Sequence, residues 1–89
     1  MHYHRLETTT TAYDFDSLHA AVDGALRSRE RSLVVDLDAI GYLDAEVIRE
    51  LIKGLRRLRD VGGNLRVEAT RPAVLLSLKS TGLDRVFRP

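Results

Sequence analysis

The chain has 89 residues, 44% apolar and 30% charged, with 14 basic and 13 acidic side chains that leave a formal charge of +1. That length supports one hydrophobic core, so a single domain over residues 1–89 is expected, and the composition is that of a globular chain rather than a disordered one. The near-neutral balance lacks the basic excess of a dedicated nucleic-acid binder, the absence of cysteine removes disulfides, thiol catalysis and Cys-based metal sites, and no apolar run approaches the roughly 20 residues of a membrane span.

The N-terminus, Met1-His2-Tyr3-His4-Arg5, has no apolar stretch of signal-peptide type, which together with the missing cysteine leads to the expectation of a cytoplasmic protein without membrane insertion. His2 to Glu7 reads as a first strand, and the polar run Thr8 to Thr11 as a connecting loop. Asp14 or Asp16 can cap a helix by accepting orphan N–H bonds. Leu18, Ala21, Val22, Ala25 and Leu26 then recur at helical spacing, predicting a helix to about Arg29.

Ser32-Leu33-Val34-Val35-Asp36-Leu37 is too continuously apolar for a half-exposed strand and predicts a central one covered on both faces. Asp44 stands at a helix N-cap, followed by an apolar stripe of Val47, Ile48, Leu51, Ile52, Leu55 and Leu58 that Gly62-Gly63 ends. Leu65 to Ala69 alternates as a strand nearer an edge. Thr70 and Pro72 open a third helix with Val74, Leu75 and Leu78 buried, Gly82 ends it, and Leu83, Val86 and Phe87 fold back onto the core. Strand and helix alternate throughout, which predicts an α/β fold: a small, mostly parallel sheet with helices packed on it.

Converging catalytic groups are sparse. No phosphate-cradling glycine loop or nucleophile elbow occurs. His2 and His4 would share a strand face as half of a metal site, but without a neighbouring carboxylate cluster they read as exposed terminal histidines. Asp36, Asp38 and Asp44 lie at or beyond the end of the central strand, where α/β sheets place ligands, so they suit either magnesium and phosphoryl chemistry or the capping of turns and a helix. The middle helix exposes Arg49, Lys53, Arg56, Arg57 and Arg59 against Glu46, Glu50 and Asp60. No aromatic residue is interleaved there for stacking on bases, so a solvated face or an acidic partner is favoured over nucleic acid. No enzyme activity and no cofactor are expected.

Val34-Val35-Asp36-Leu37, Tyr42-Leu43-Asp44, the helix ending in Gly62-Gly63, Pro72, and Ser80-Thr81-Gly82-Leu83-Asp84-Arg85-Val86-Phe87 follow one another in an order that resembles the STAS domain family, particularly the bacterial single-domain anti-sigma factor antagonists. The resemblance implies a STAS-like fold and a role in transcription regulation or signalling, exercised by binding a serine-kinase-type anti-sigma factor. It also implies docking around Asp44, Ala45, Glu46, Val47, Arg49, Glu50 and Lys53. In the family the helix after the central strand opens with Asp-Ser-Ser-Gly, and the partner phosphorylates one of these serines to break the complex. Here Asp44-Ala45-Glu46-Val47 stands instead, so the phosphorylation-site equivalents Ala45 and Glu46 carry no hydroxyl. Glu46 either imitates a phosphoserine, imperfectly because it has less charge and fewer acceptor oxygens, or merely suits the positive end of the helix dipole.

Relatives have two strands before the first helix, whereas this chain has room for one, an N-terminally shortened form whose exposed sheet edge would suit a homodimer or a partner strand. STAS-like domains also serve transporters and lipid-trafficking ABC systems, so an accessory transporter subunit is the alternative reading.

Overall fold

The computed structural model describes residues 2–7, 13–40 and 43–87. The expected loop at Thr8 to Thr11, and Tyr42, lie outside the described residues. Strand β1 (His2–Arg5) is followed by helix α1 (Phe15–Leu26), strand β2 (Ser32–Asp36), helix α2 (Ala45–Arg59), strand β3 (Asn64–Glu68), helix α3 (Pro72–Thr81) and a short helix α4 (Leu83–Phe87). The three strands form one sheet in the order β1-β2-β3, with both pairings parallel. The fold is thus α/β, with a wholly parallel sheet among the described residues.

Two successive crossovers that advance in the same direction across a parallel sheet place their helices on the same face, because such connections are right-handed. Accordingly α1 packs on β1 and β2, α2 packs on β3 and on α1, and α4 returns to β3. Leu33 and Val35 of β2 and Leu65 and Val67 of β3 are fully buried in one cluster with Leu18, Val22 and Ala25 of α1, Val47, Leu51, Leu55 and Leu58 of α2, Val74 and Leu78 of α3, and Phe87 of α4.

The opposite face of the sheet is built differently. In register across it lie Tyr3, Val34 and Arg66, then Arg5, Asp36 and Glu68. Val34 is buried, yet it stands outside the main cluster, and Tyr3 beside it is 58% exposed. The expectation that β2 would be covered on both faces therefore holds for exposure but not for its cause: packed helices bury one face, while the other is flanked by long side chains from the neighbouring strands.

Several boundaries differ from expectation for identifiable reasons. Helix α1 stops at Leu26 rather than near Arg29, because the chain must reverse before β2 and does so through a left-handed Arg31, φ 49°. Leu75 is 40% exposed: α3 is pinned by Val74 and Leu78, an i,i+4 pair, and the next residue round the helix turns away. Phe87 closes the core and Leu83 packs against it, but Val86 is exposed. The α2–β3 joint follows expectation, with Gly62 at φ 80° and the Gly62 and Gly63 N–H groups donating to the Arg59 and Leu58 carbonyls at 3.0 and 2.7 Å, a Schellman closure.

Candidate functional site

Helix α2 carries every residue expected at a docking surface except its cap, Asp44. This cap has extended backbone, and its Oδ1 accepts the Val47 N–H at 3.0 Å, which satisfies one of the free donors of the first turn. Its Oδ2 accepts the Tyr13 hydroxyl at 2.9 Å, and the Tyr13 ring stacks on Phe15 at the start of α1. One carboxylate thus fixes where α2 begins and ties that end to α1.

Beyond the cap, Ala45, Glu46, Arg49 and Lys53 are exposed. Val47 is not on this surface. It is fully buried, on the same side of the helix as Leu51, Leu55 and Leu58, so this member of the expected docking set belongs to the core, in the apolar stripe. Glu50 is half-buried; its Oε2 meets His19 Nε2 of α1 at 2.6 Å and its Oε1 accepts from Lys53 Nζ at 3.4 Å. The hydrogen bond to His19, reinforced by the Lys53 charge, holds the Glu50 carboxyl below its usual pKa against the opposing effect of burial. A second ion pair, Arg57 to Asp23 at 2.5 Å, spans the same groove, which is about 340 Å³ and has Gly54 in its floor. These contacts make Glu50 and Arg57 inter-helix ties.

On the other flank of α2 lies an open depression of about 450 Å³ lined by Ala45, Ile48, Arg49, Ile52, Lys53 and Arg56. Sequence reasoning placed Ile48 and Ile52 in the buried stripe and left Arg56 out of the docking set. Both isoleucines are only partly buried, at the margin of the core. The width of the apolar stripe is the signal that marks them: Val47-Ile48 and Leu51-Ile52 are more than a single packed seam requires.

The strand-end aspartates are engaged in local structure. Asp36 accepts the Tyr3 hydroxyl at 2.5 Å and the Asp38 N–H at 2.8 Å, with Arg5 at 3.5 Å. The hydrogen bond it donates to Asp36, which ionisation would break, together with desolvation and the charge of that carboxylate, pushes the Tyr3 hydroxyl pKa up to about 12. Asp38 accepts the Thr70 N–H at 2.6 Å and its hydroxyl at 3.0 Å, bonds that hold its pKa below the usual carboxylate range. Among the described residues no group of three or more His, Asp or Glu is placed to hold a metal ion. His2 is exposed, whereas His4 is half-buried and its Nε2 has no hydrogen-bond partner there, unlike the exposed pair expected from sequence.

A three-stranded parallel sheet with helices packed on it and a capped central helix with a charged outer face define a small α/β domain. The chain belongs to the STAS_2 family, described as Mlab, STAS domain, whose profile matches residues 5–89. Members of this kind are generally non-catalytic binding modules. No curated protein and no solved structure matches. Among the described residues no helix is long and apolar enough to cross a membrane.

Proposed function

We propose that this domain is a non-catalytic regulatory module that docks a protein partner, an anti-sigma factor or serine-kinase-like regulator, through the outer face of α2 from Ala45 to Lys53. Its binding is independent of serine phosphorylation at that place. One observation carries the reading: the exposed start of α2 bears Ala45 and Glu46, and the whole helix Ala45–Arg59 contains no hydroxyl side chain. Glu46 makes no ion pair among the described residues, and its negative charge in the first turn gains typically about 0.3–1 kcal/mol from the helix dipole. A carboxylate there stabilises α2 whether or not a partner reads it. The three-stranded sheet also leaves an open edge on β1 and on β3 among the described residues, and a second copy pairing there would add a dimer to the same reading.

The test is affinity co-purification from native lysate with identification of bound proteins, comparing the parent with Ala45→Arg, an exposed site where added bulk blocks contact without entering the core. Recovery of a kinase-like regulator by the parent and its loss in the variant is the expected result. The captured kinase should then phosphorylate Glu46→Ser and leave the parent unmodified; phosphate on the parent at this loop contradicts the reading. Capture of permease or ATPase subunits instead would establish the transporter-accessory alternative.

A further inference from the structure

We infer that the partner element seated on α2 is an acidic amphipathic helix, with an apolar side chain entering the depression over Ile48 and Ile52 and carboxylates facing Arg49, Lys53 and Arg56. The inference rests on the proposal that α2 is the docking face and adds the chemistry of what docks.

Arg49, Lys53 and Arg56 are spaced i, i+4, i+7, so they rise on one line along the helix, and all three are exposed. Like charges at such spacing destabilise a helix in isolation. The helix dipole rewards Arg56, which lies in the last turn, but not Arg49, which lies in the second. Compensation within the fold is thin. Among the described residues Arg49 and Arg56 make no ion pair, and Lys53 reaches only Glu50, whose carboxylate already holds His19. A row of cations of which, among the described residues, two make no ion pair and the third shares Glu50 with His19, beside partly accessible isoleucine surface, suits a partner with both negative charge and an apolar projection.

The shape selects among such partners. Ile48 and Ile52 are partly buried and line a recess from which the longer cationic side chains extend. Phosphates alone would use the cations and leave the isoleucines wet. A lipid surface needs apolar groups that protrude, and these two are partly buried against the core. A helix supplies a knob for the recess and, on either side of it, carboxylates at matching i,i+4 spacing.

The test titrates isotopically labelled full chain with a designed helical peptide of about four turns, leucines on one stripe and glutamates beside it, followed by amide chemical shifts. A peptide with lysines for the glutamates, phosphatidylglycerol vesicles and a single-stranded oligonucleotide are run alongside. The acidic peptide is expected to shift amides between Ala45 and Arg56 and to bind at least about tenfold more weakly to R49E/K53E/R56E, which should gain affinity for the lysine peptide. If that variant does not fold, R49Q/R56Q is expected to show the same loss without the gain. No binding of the acidic peptide at about 1 mM, shifts confined to another face, indifference to the charge changes, or stronger binding of vesicles or oligonucleotide at these residues would overturn the inference. A natural partner still lost in Ala45→Arg while the acidic peptide is ignored would discard the acidic-helix chemistry and leave the docking face standing. A partner indifferent to Ala45→Arg would remove the docking face itself.

Discussion

Asp44 shows how a residue that resembles a functional one can be occupied by structure. Both of its oxygens are used, one on the Val47 N–H and one on the Tyr13 hydroxyl. Asp44→Ala is therefore expected to lose a cap, about 0.5–2 kcal/mol, and a side-chain hydrogen bond, about 0.5–1.5 kcal/mol, read as a lower urea midpoint; Asp44→Asn, which keeps the capping oxygen, should lose distinctly less. Val47 illustrates the opposite error. The resemblance to the family places it at the docking surface, whereas its position in the apolar stripe of α2 assigns it to the core, where it is fully buried.

The titrating side chains set the pH response at the same scale. Hydrogen bonds from Ser17, Thr70 and His19 hold Asp14, Asp38 and Glu50, respectively, below their ordinary values. A carboxyl lowered in the folded state contributes stability that is complete above its unfolded pKa and is lost as pH falls through the folded one. The denaturation midpoint should hold steady down to about pH 5 and fall increasingly below about pH 4, with Asp38→Asn flattening part of that fall. Tyr3 acts at the alkaline end: raised to about 12, its contribution is intact below the ordinary tyrosine value and disappears as pH rises through the raised one. A midpoint that does not move in acid would contradict these assignments.

Among the elements, α2 was the most legible in sequence, because an aspartate cap, a stripe of apolar residues and a glycine pair mark its start, buried side and end without tertiary information. Helix α4 was not legible: its five residues follow Gly82, at φ 75°, too closely for periodicity to register. The α1–α2 contact also depends on a residue whose role sequence leaves open. A Cβ on Gly54 would stand 3.1 Å from both Leu65 Cδ1 and Val22 Cγ2, so the two helices approach over a missing side chain. Gly54→Leu should wedge them apart and cost about 1–3 kcal/mol. It should also weaken the ties from His19 to Glu50 and Asp23 to Arg57, visible as new exchange-broadened amides along both helices. A variant as stable as the parent would show that this approach is loose.

At the scale of the whole molecule, all described helices contribute to one core on a single face of the sheet, and the other face is left to Tyr3, Arg5, Arg66 and Glu68 around Val34. Alternation of strand and helix foretold the parallel sheet. The one-sidedness was harder to read, because β2 is buried on both sides and an apolar run looks the same whether helices or neighbouring long side chains cover it. The same limit applied to the site: exposed charges on α2 could be read from helical spacing, but the recess between Ile48 and Ile52 depends on how far α2 is rotated against the sheet.

Among the described residues, this arrangement leaves the outer face of α2, the polar sheet face and the exposed leucines of α3 open to a partner, besides the two sheet edges. Site-specific photo-crosslinking in the native cell would discriminate among them, with a benzophenone side chain placed in turn at Ala45, Arg49, Arg66 and Leu76. Crosslinks to one protein from Ala45 and Arg49, and none to it from Arg66 or Leu76, are the predicted result. Capture from Arg66 or Leu76 with silence at both α2 positions would contradict the central claim that this domain works through α2.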